Sequence, residues 1–242
     1  METKGKIWVA LDTEKDKALE MAKALGEAKL PVIAGSKANR LIDQEVFRKD
    51  GEVKLFEKLS EYGIPLWADL KLNDVPRTVA GRIEPYVQSG LVAYITVMAK
   101  GGVDMMIAAV KAGGAKTQII AVTELTSLTE EEIHLLSGQP AKASVINLAR
   151  SAVLAGVKYL VCSGQELTVI RKRPELNALK IFVPAVAPDW APKPPSDQKR
   201  TMSVVEALKG GAEAVVIGSL FAESEDPVEV AIKTAEEIAA AA

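Results

Sequence analysis

In the segment PLWADLKLNDVPRTV, Asp69 and Lys71 stand two residues apart, and Asp74 follows three residues later. Residues i and i+2 of an extended chain point to the same side. A carboxylate and an ammonium therefore share one face at the end of an apparent strand, and a second carboxylate sits in the turn beyond it. Carboxylates can hold the lysine ammonium, and a desolvated array of this kind can act on a neighbouring carbanion or carboxylate, with Lys71 as proton donor. The same charges could instead be salt bridges on the rim of a fold, which also perturb pKa values.

Other reactive side chains are few. The single cysteine, Cys162, lies in the apolar run YLVC, where a buried structural thiol is expected, and one cysteine excludes an intramolecular disulfide. The single histidine, His134, follows the acidic stretch TEEE and fits a surface helix. One of each cannot assemble a common zinc ligand set, so no metal is expected. Basic and acidic residues nearly cancel to a net charge of -2. Without a basic excess, and with a pI near 5.7, nucleic acid is an unexpected partner. METKGKIWVALD passes directly into a strand pattern, and no run reaches the roughly 18 apolar residues of a membrane span, so a cytoplasmic protein is expected.

The elements that must position the cluster are legible as period. Eight short runs rich in Val and Ile, at residues 7–11, 31–35, 65–71, 92–97, 118–123, 158–162, 180–184 and 214–218, alternate with amphipathic stretches such as DKALEMAKALGE and SVINLARSAVLAG. Near-continuous apolarity suits strands buried on both faces, and alternation with helices implies a parallel sheet. Eight repeats in 242 residues predict one α/β domain over residues 1–242, a (β/α)8 barrel, with chemistry at the C-terminal ends of the strands. Residues 184–200 carry five prolines and follow the seventh run, so they should overhang that face. The C-terminal AEEIAAAA fits a last barrel helix.

DLKLNDVPRTV resembles the Asp-x-Lys-x-x-Asp signature of the orotidine 5'-monophosphate decarboxylase family. VALD, AVTELTSL, YLVCSGQE and SDQKRTMSVVEAL resemble that family's other landmarks in the same order. The resemblance implies a cofactor-free decarboxylase in which Lys71 protonates the carbanion left on the pyrimidine ring. Asp69 would press on the substrate carboxylate and hold Lys71. Asp74 and Thr78 would reach the site of a partner subunit, which makes the protein a homodimer. By the same resemblance Asp12 contacts the ribose, Ser127 reads the pyrimidine ring, and Gln198 contacts the phosphate. Each of these three also has a local reading: Asp12 or Ser127 as a helix cap, and Gln198 as a solvated loop residue.

The chain departs from the family pattern at strand ends. Ile33 stands two residues before Gly35, where the family has a lysine; Met98 replaces a common histidine, and Gly164 a common proline. Ala185, Val186 and Ala187 replace a turn that carries a cation. Ser219, followed by Leu220 and Phe221, replaces the arginine that grips the substrate phosphate. Charge-assisted contacts are worth about 1.5–3 kcal/mol each, and catalysis draws on such remote binding. Three readings follow. The chain is a divergent decarboxylase whose phosphate rests on backbone amides after the eighth strand, with Gln198 and Ser219. Or it is a diverged or engineered barrel with a pocket lined by Ile33, Met98, Val186, Leu220 and Phe221, which takes a neutral, apolar ligand and uses Lys71 for retro-aldol or proton-abstraction chemistry. Or it is an inert scaffold for binding or assembly.

Overall fold

The eight apolar runs close on themselves. In the computed structural model, which describes residues 1–46, 54–191 and 201–241, the barrel strands are β1 (Ile7–Ala10), β2 (Ile33–Ala38), β3 (Leu66–Leu72), β4 (Tyr94–Met98), β5 (Gln118–Val122), β6 (Tyr159–Val161) and β7 (Lys180–Val183). Two short strands, β8 (Val186–Ala187) and β9 (Met202–Ser203), precede the last barrel strand, β10 (Ala214–Ile217). All barrel pairs are parallel, and β1 pairs with both β2 and β10, which closes the ring. The helices are α1 (Lys15–Ala28), α2 (Arg40–Val46), α3 (Lys54–Glu61), α4 (Pro76–Ser89), α5 (Val103–Gly113), α6 (Glu130–Ser137), α7 (Ala141–Leu154), α8 (Leu167–Arg171), α9 (Val204–Lys209), α10 (Ser219–Glu223) and α11 (Pro227–Ala240).

Alternation along each strand divides the apolar residues into two layers. Ile7, Val9, Ile119, Ala121, Val215 and Ile217 face outward and pack with helix residues such as Leu25, Ile83, Val145 and Ile238. Trp8, Trp67, Ile120, Phe182 and Val216 face inward. Trp8 meets Trp67 and Tyr94 edge-to-face at centroid distances of 5.5 and 5.2 Å, and Tyr94 meets Tyr159 at 5.2 Å. This aromatic plug fills the barrel beneath the strand ends.

Two breaks in the ladder shape the functional end. Ile7 pairs with Ile33 but Trp8 with Gly35, so β2 carries one extra residue at its start. A Cβ on Gly35 would sit 2.3 Å from the Pro65 carbonyl oxygen and 2.5 Å from the Trp8 ring, so only glycine admits that ring. β2 runs further than residues 31–35, ending at Ala38: Lys37 turns into the cavity while Ala38 packs in the outer core. On β3, Ala68 pairs with Ile95 but Leu72 with Val97, which leaves the stretch around Asp69 and Lys71 out of regular register.

Beyond β7, Val186–Ala187 pairs with Met202–Ser203. Most of the proline-rich excursion, with Gln198, lies outside the described residues. Gly164 is explained by this small sheet: a Cβ there would stand 2.6 Å from the Met202 sulfur. Cys162 is buried and His134 exposed, and no helix among the described residues is long and apolar enough to cross a membrane.

Candidate active site

A cavity of about 710 Å³ opens at the C-terminal ends of the strands. Asp69, only 6% exposed, is its electrostatic centre. Its Oδ2 accepts a hydrogen bond from Lys71 Nζ at 2.7 Å and another from Lys37 Nζ at 2.9 Å. Its Oδ1 accepts from the Thr96 hydroxyl at 2.8 Å, and Asn39 Nδ2 donates to its backbone carbonyl at 3.1 Å. Asp12 Oδ2 stands 4.0 Å from Lys37 Nζ on the other side. Burial pushes the Asp69 carboxyl up, but the ammoniums of Lys37 and Lys71 outweigh it and hold the group well below the usual carboxylate range. Burial pulls Lys37 down, yet Asp69 and then Asp12 carry it above the ordinary lysine value. Both groups are thus fixed in their charged forms. Lys71 remains about one-third exposed and faces the cavity, where a bound molecule could take a proton from it.

Lys37 and Asn39 were missed in the sequence. The second apolar run stops at Gly35, but residues 35, 37 and 39 share one parity, and Lys37 and Asn39 both line the cavity. The array has a lysine on the second strand after all, two residues after the glycine instead of two before it. Ile33 does not take that place: the bulge turns it outward, where it packs against the outer core.

Of the five apolar residues expected to line a remodelled pocket, only Val186 does. Met98 packs against the aromatic plug beneath the cavity. Leu220 packs against the outer core and Phe221 is fully buried in it, because α10 turns that face toward the helical layer. The wall is mixed: Lys37, Arg40 and Lys71 face Asp12, Glu14, Asp69, Glu124 and Glu223, and Trp67, Val122, Leu125, Val161 and Val216 supply an apolar side. Glu124, singled out by no motif, is buried: the Ser144 hydroxyl donates to its Oε1 at 2.6 Å, and Lys100 Nζ lies 2.6 Å from its Oε2.

The remaining candidates divide by location. Asp12, Ser127 and Ser219 all line the cavity. Asp12 does not cap α1, whose N-cap is Glu14, and Ser127 does not cap α6, where Thr129 and Glu132 form a reciprocal capping box. Asp74 and Thr78 are exposed and do not line the cavity; Asp74 Oδ1 accepts the Val75 N–H at 2.7 Å.

Residues 5–234 match the model of the orotidine 5'-phosphate decarboxylase / HUMPS family. The chain is 37% identical over 189 residues to the orotidine 5'-phosphate decarboxylase of Anaeromyxobacter dehalogenans, covering 77% of this chain and 81% of that one. It is 35% identical over 226 residues to that of Novosphingobium aromaticivorans, covering 93% and 95%. Among solved structures, an uncharacterized conserved protein from Geobacillus kaustophilus superposes with a TM-score of 0.76 at 24% identity, covering 96% of this chain and 99% of that one. The orotidine 5'-phosphate decarboxylase from Lactobacillus acidophilus gives 0.76 at 22%, covering 96% and 98%. At these identities the structural likeness speaks for the barrel alone.

Proposed function

Since this chain belongs to the orotidine 5'-phosphate decarboxylase / HUMPS family, we propose that it decarboxylates orotidine 5'-monophosphate without a cofactor and that Lys71 is the proton donor. The observation that carries this reading is the buried Asp69 carboxylate held at 2.7 and 2.9 Å by two ammoniums. A substrate carboxylate brought against Asp69 meets a like charge, which the ammoniums of Lys37 and Lys71 favour over the protonated form. That repulsion is relieved when the C–C bond breaks and carbon dioxide leaves. The electron pair stays on the ring carbon, next to Lys71, whose Nζ–H delivers the proton; the amine is recharged from solvent. Attraction between the lysines and the developing carbanion exists only as the bond breaks, so it lowers the barrier and not merely the energy of the bound substrate.

Asp12 would hold the ribose from the β1 side, Ser127 would read the pyrimidine ring, and the phosphate would lie toward Gly218 and Ser219, with Gln198 as a further contact. Asp74 and Thr78, exposed in their own subunit, would complete the site of a partner. The charged cluster of Asp12, Lys37, Asp69 and Lys71 favours this reading over a neutral, apolar ligand.

The test is orotidine 5'-monophosphate turnover, followed by loss of substrate absorbance, by the folded protein and by Lys71→Ala. Loss of the proton donor should lower kcat by about a thousandfold, within the range of positioned acid catalysis. No turnover by the folded wild type, or turnover unchanged in Lys71→Ala, would overturn the reading.

A further inference from the structure

Lys71 sits in β3 with φ of 45°, in the left-handed region that side-chain-bearing residues rarely adopt. It lies in the stretch where β3 loses register with β4, so the ladder does not supply its N–H with a regular partner. The partner is a side chain: Lys71 N donates to Thr96 Oγ1 at 3.0 Å. The same hydroxyl donates its own proton to Asp69 Oδ1 at 2.8 Å. Thr96 is fully buried on β4, so no water competes for either bond.

One hydroxyl thus fixes two things. It anchors the unusual backbone from which the Lys71 side chain departs, and it sets the rotation of the Asp69 carboxylate so that Oδ2 is turned to both ammoniums. A hydroxyl has one donor and can accept, and here both capacities are used within the pair it joins. A valine of the same shape would leave the Lys71 N–H buried and unpaired and strip Asp69 Oδ1 of its donor, so that only the ammoniums on Oδ2 would orient the carboxylate. Backbone outliers of this kind persist only where the surroundings impose them, and they gather at working sites.

We propose that Thr96 is the positioning residue of the Asp69–Lys71 pair, acting through its hydroxyl to hold the strained lysine backbone and the carboxylate in one geometry. The kinetic form of this proposal rests on the decarboxylase reading above; its structural form does not.

The test compares Thr96→Val, which keeps the shape and removes the hydroxyl, with Thr96→Ser, which keeps the hydroxyl. With orotidine 5'-monophosphate, Thr96→Val should lose at least about tenfold in kcat with KM changed by less than about threefold, as expected when an interaction is realised mainly in the transition state. Thr96→Ser should stay within about twofold of wild type in kcat. Wild-type kcat in Thr96→Val, or an equal loss in both variants, would overturn the proposal, since the second outcome assigns the effect to packing. If Thr96→Val does not fold, Thr96→Ala takes its place as the hydroxyl-free variant. If the wild type turns nothing over, the decarboxylase reading fails by itself, and crystal structures decide the rest. Without the hydroxyl, Lys71 should leave positive φ or its contact with Asp69 Oδ2 should open; both unchanged would overturn the proposal.

Discussion

Asp69 faces two ammoniums with one carboxylate, and the asymmetry makes its removal informative. In the wild type, Asp69 is held below its ordinary pKa, so its stabilising contribution is complete above about pH 4 and is withdrawn as the pH falls. Lys37 is raised, so its contribution is complete below about pH 10 and is lost as the pH rises through the folded value. Between these limits the pair makes stability nearly independent of pH. Asp69→Asn leaves Lys37, 8% exposed, with Asp12 at 4.0 Å as its counterion. Removing one partner of a buried pair costs about 3 kcal/mol, and burial then pulls Lys37 below the value of the unfolded chain. The unfolded state binds more protons, so the variant should regain stability from about pH 7 to 9.5 while the wild type does not. Urea unfolding at the two pH values checks this, and parallel behaviour would mean that Asp69 does not control Lys37. Asp69 and Lys71 were legible because their spacing and type coincide in one motif. Lys37 was harder to read, because its parity with Gly35 and Asn39 is a weak signal until its counterion, 32 residues away in the chain, is seen beside it.

At the scale of elements, β2 decides which residues reach the cavity. Its bulge turns Ile33 outward, and Gly35 leaves room for Trp8, which in turn supports the plug below the charged cluster. Gly35→Ala places a methyl against a backbone carbonyl as well as the indole, and the carbonyl cannot swing aside as a side chain can. The substitution should destabilise the barrel by about 3 kcal/mol, at the upper end of overpacking costs. It should also lower kcat even where the protein is folded, since Lys37 is two residues further along the same strand. A urea midpoint unchanged from wild type would show that the strand relaxes freely. All eight barrel strands were visible as apolar runs because a parallel barrel buries both strand faces. The bulge was invisible, since a one-residue insertion leaves composition untouched and exists only relative to the neighbouring strand. The β8–β9 pair was hidden for another reason: two-residue strands have no period to read, and Met202 reveals its role only against Gly164.

At the scale of the molecule, the separation of Lys71 from Asp74 makes the proposed dimer testable. Lys71 lines the cavity, while Asp74, three residues on, is exposed just before α4, its carboxylate accepting the Val75 N–H. If each site takes Lys71 from one subunit and Asp74 from the other, the two residues complement across a dimer. Lys71→Ala and Asp74→Ala should each be nearly inactive alone. In a heterodimer of the two, one site carries both defects and the other carries neither. Random reassociation of an equal mixture makes about half of the dimers mixed, each with one intact site of two, so about a quarter of the wild-type activity should return. Activity that stays at the level of the single variants after reassociation, with subunit exchange verified by mass, would mean that each subunit builds its site alone. The closing carboxylate would then have to come from within the same barrel, and Asp12 is the described residue best placed to supply it.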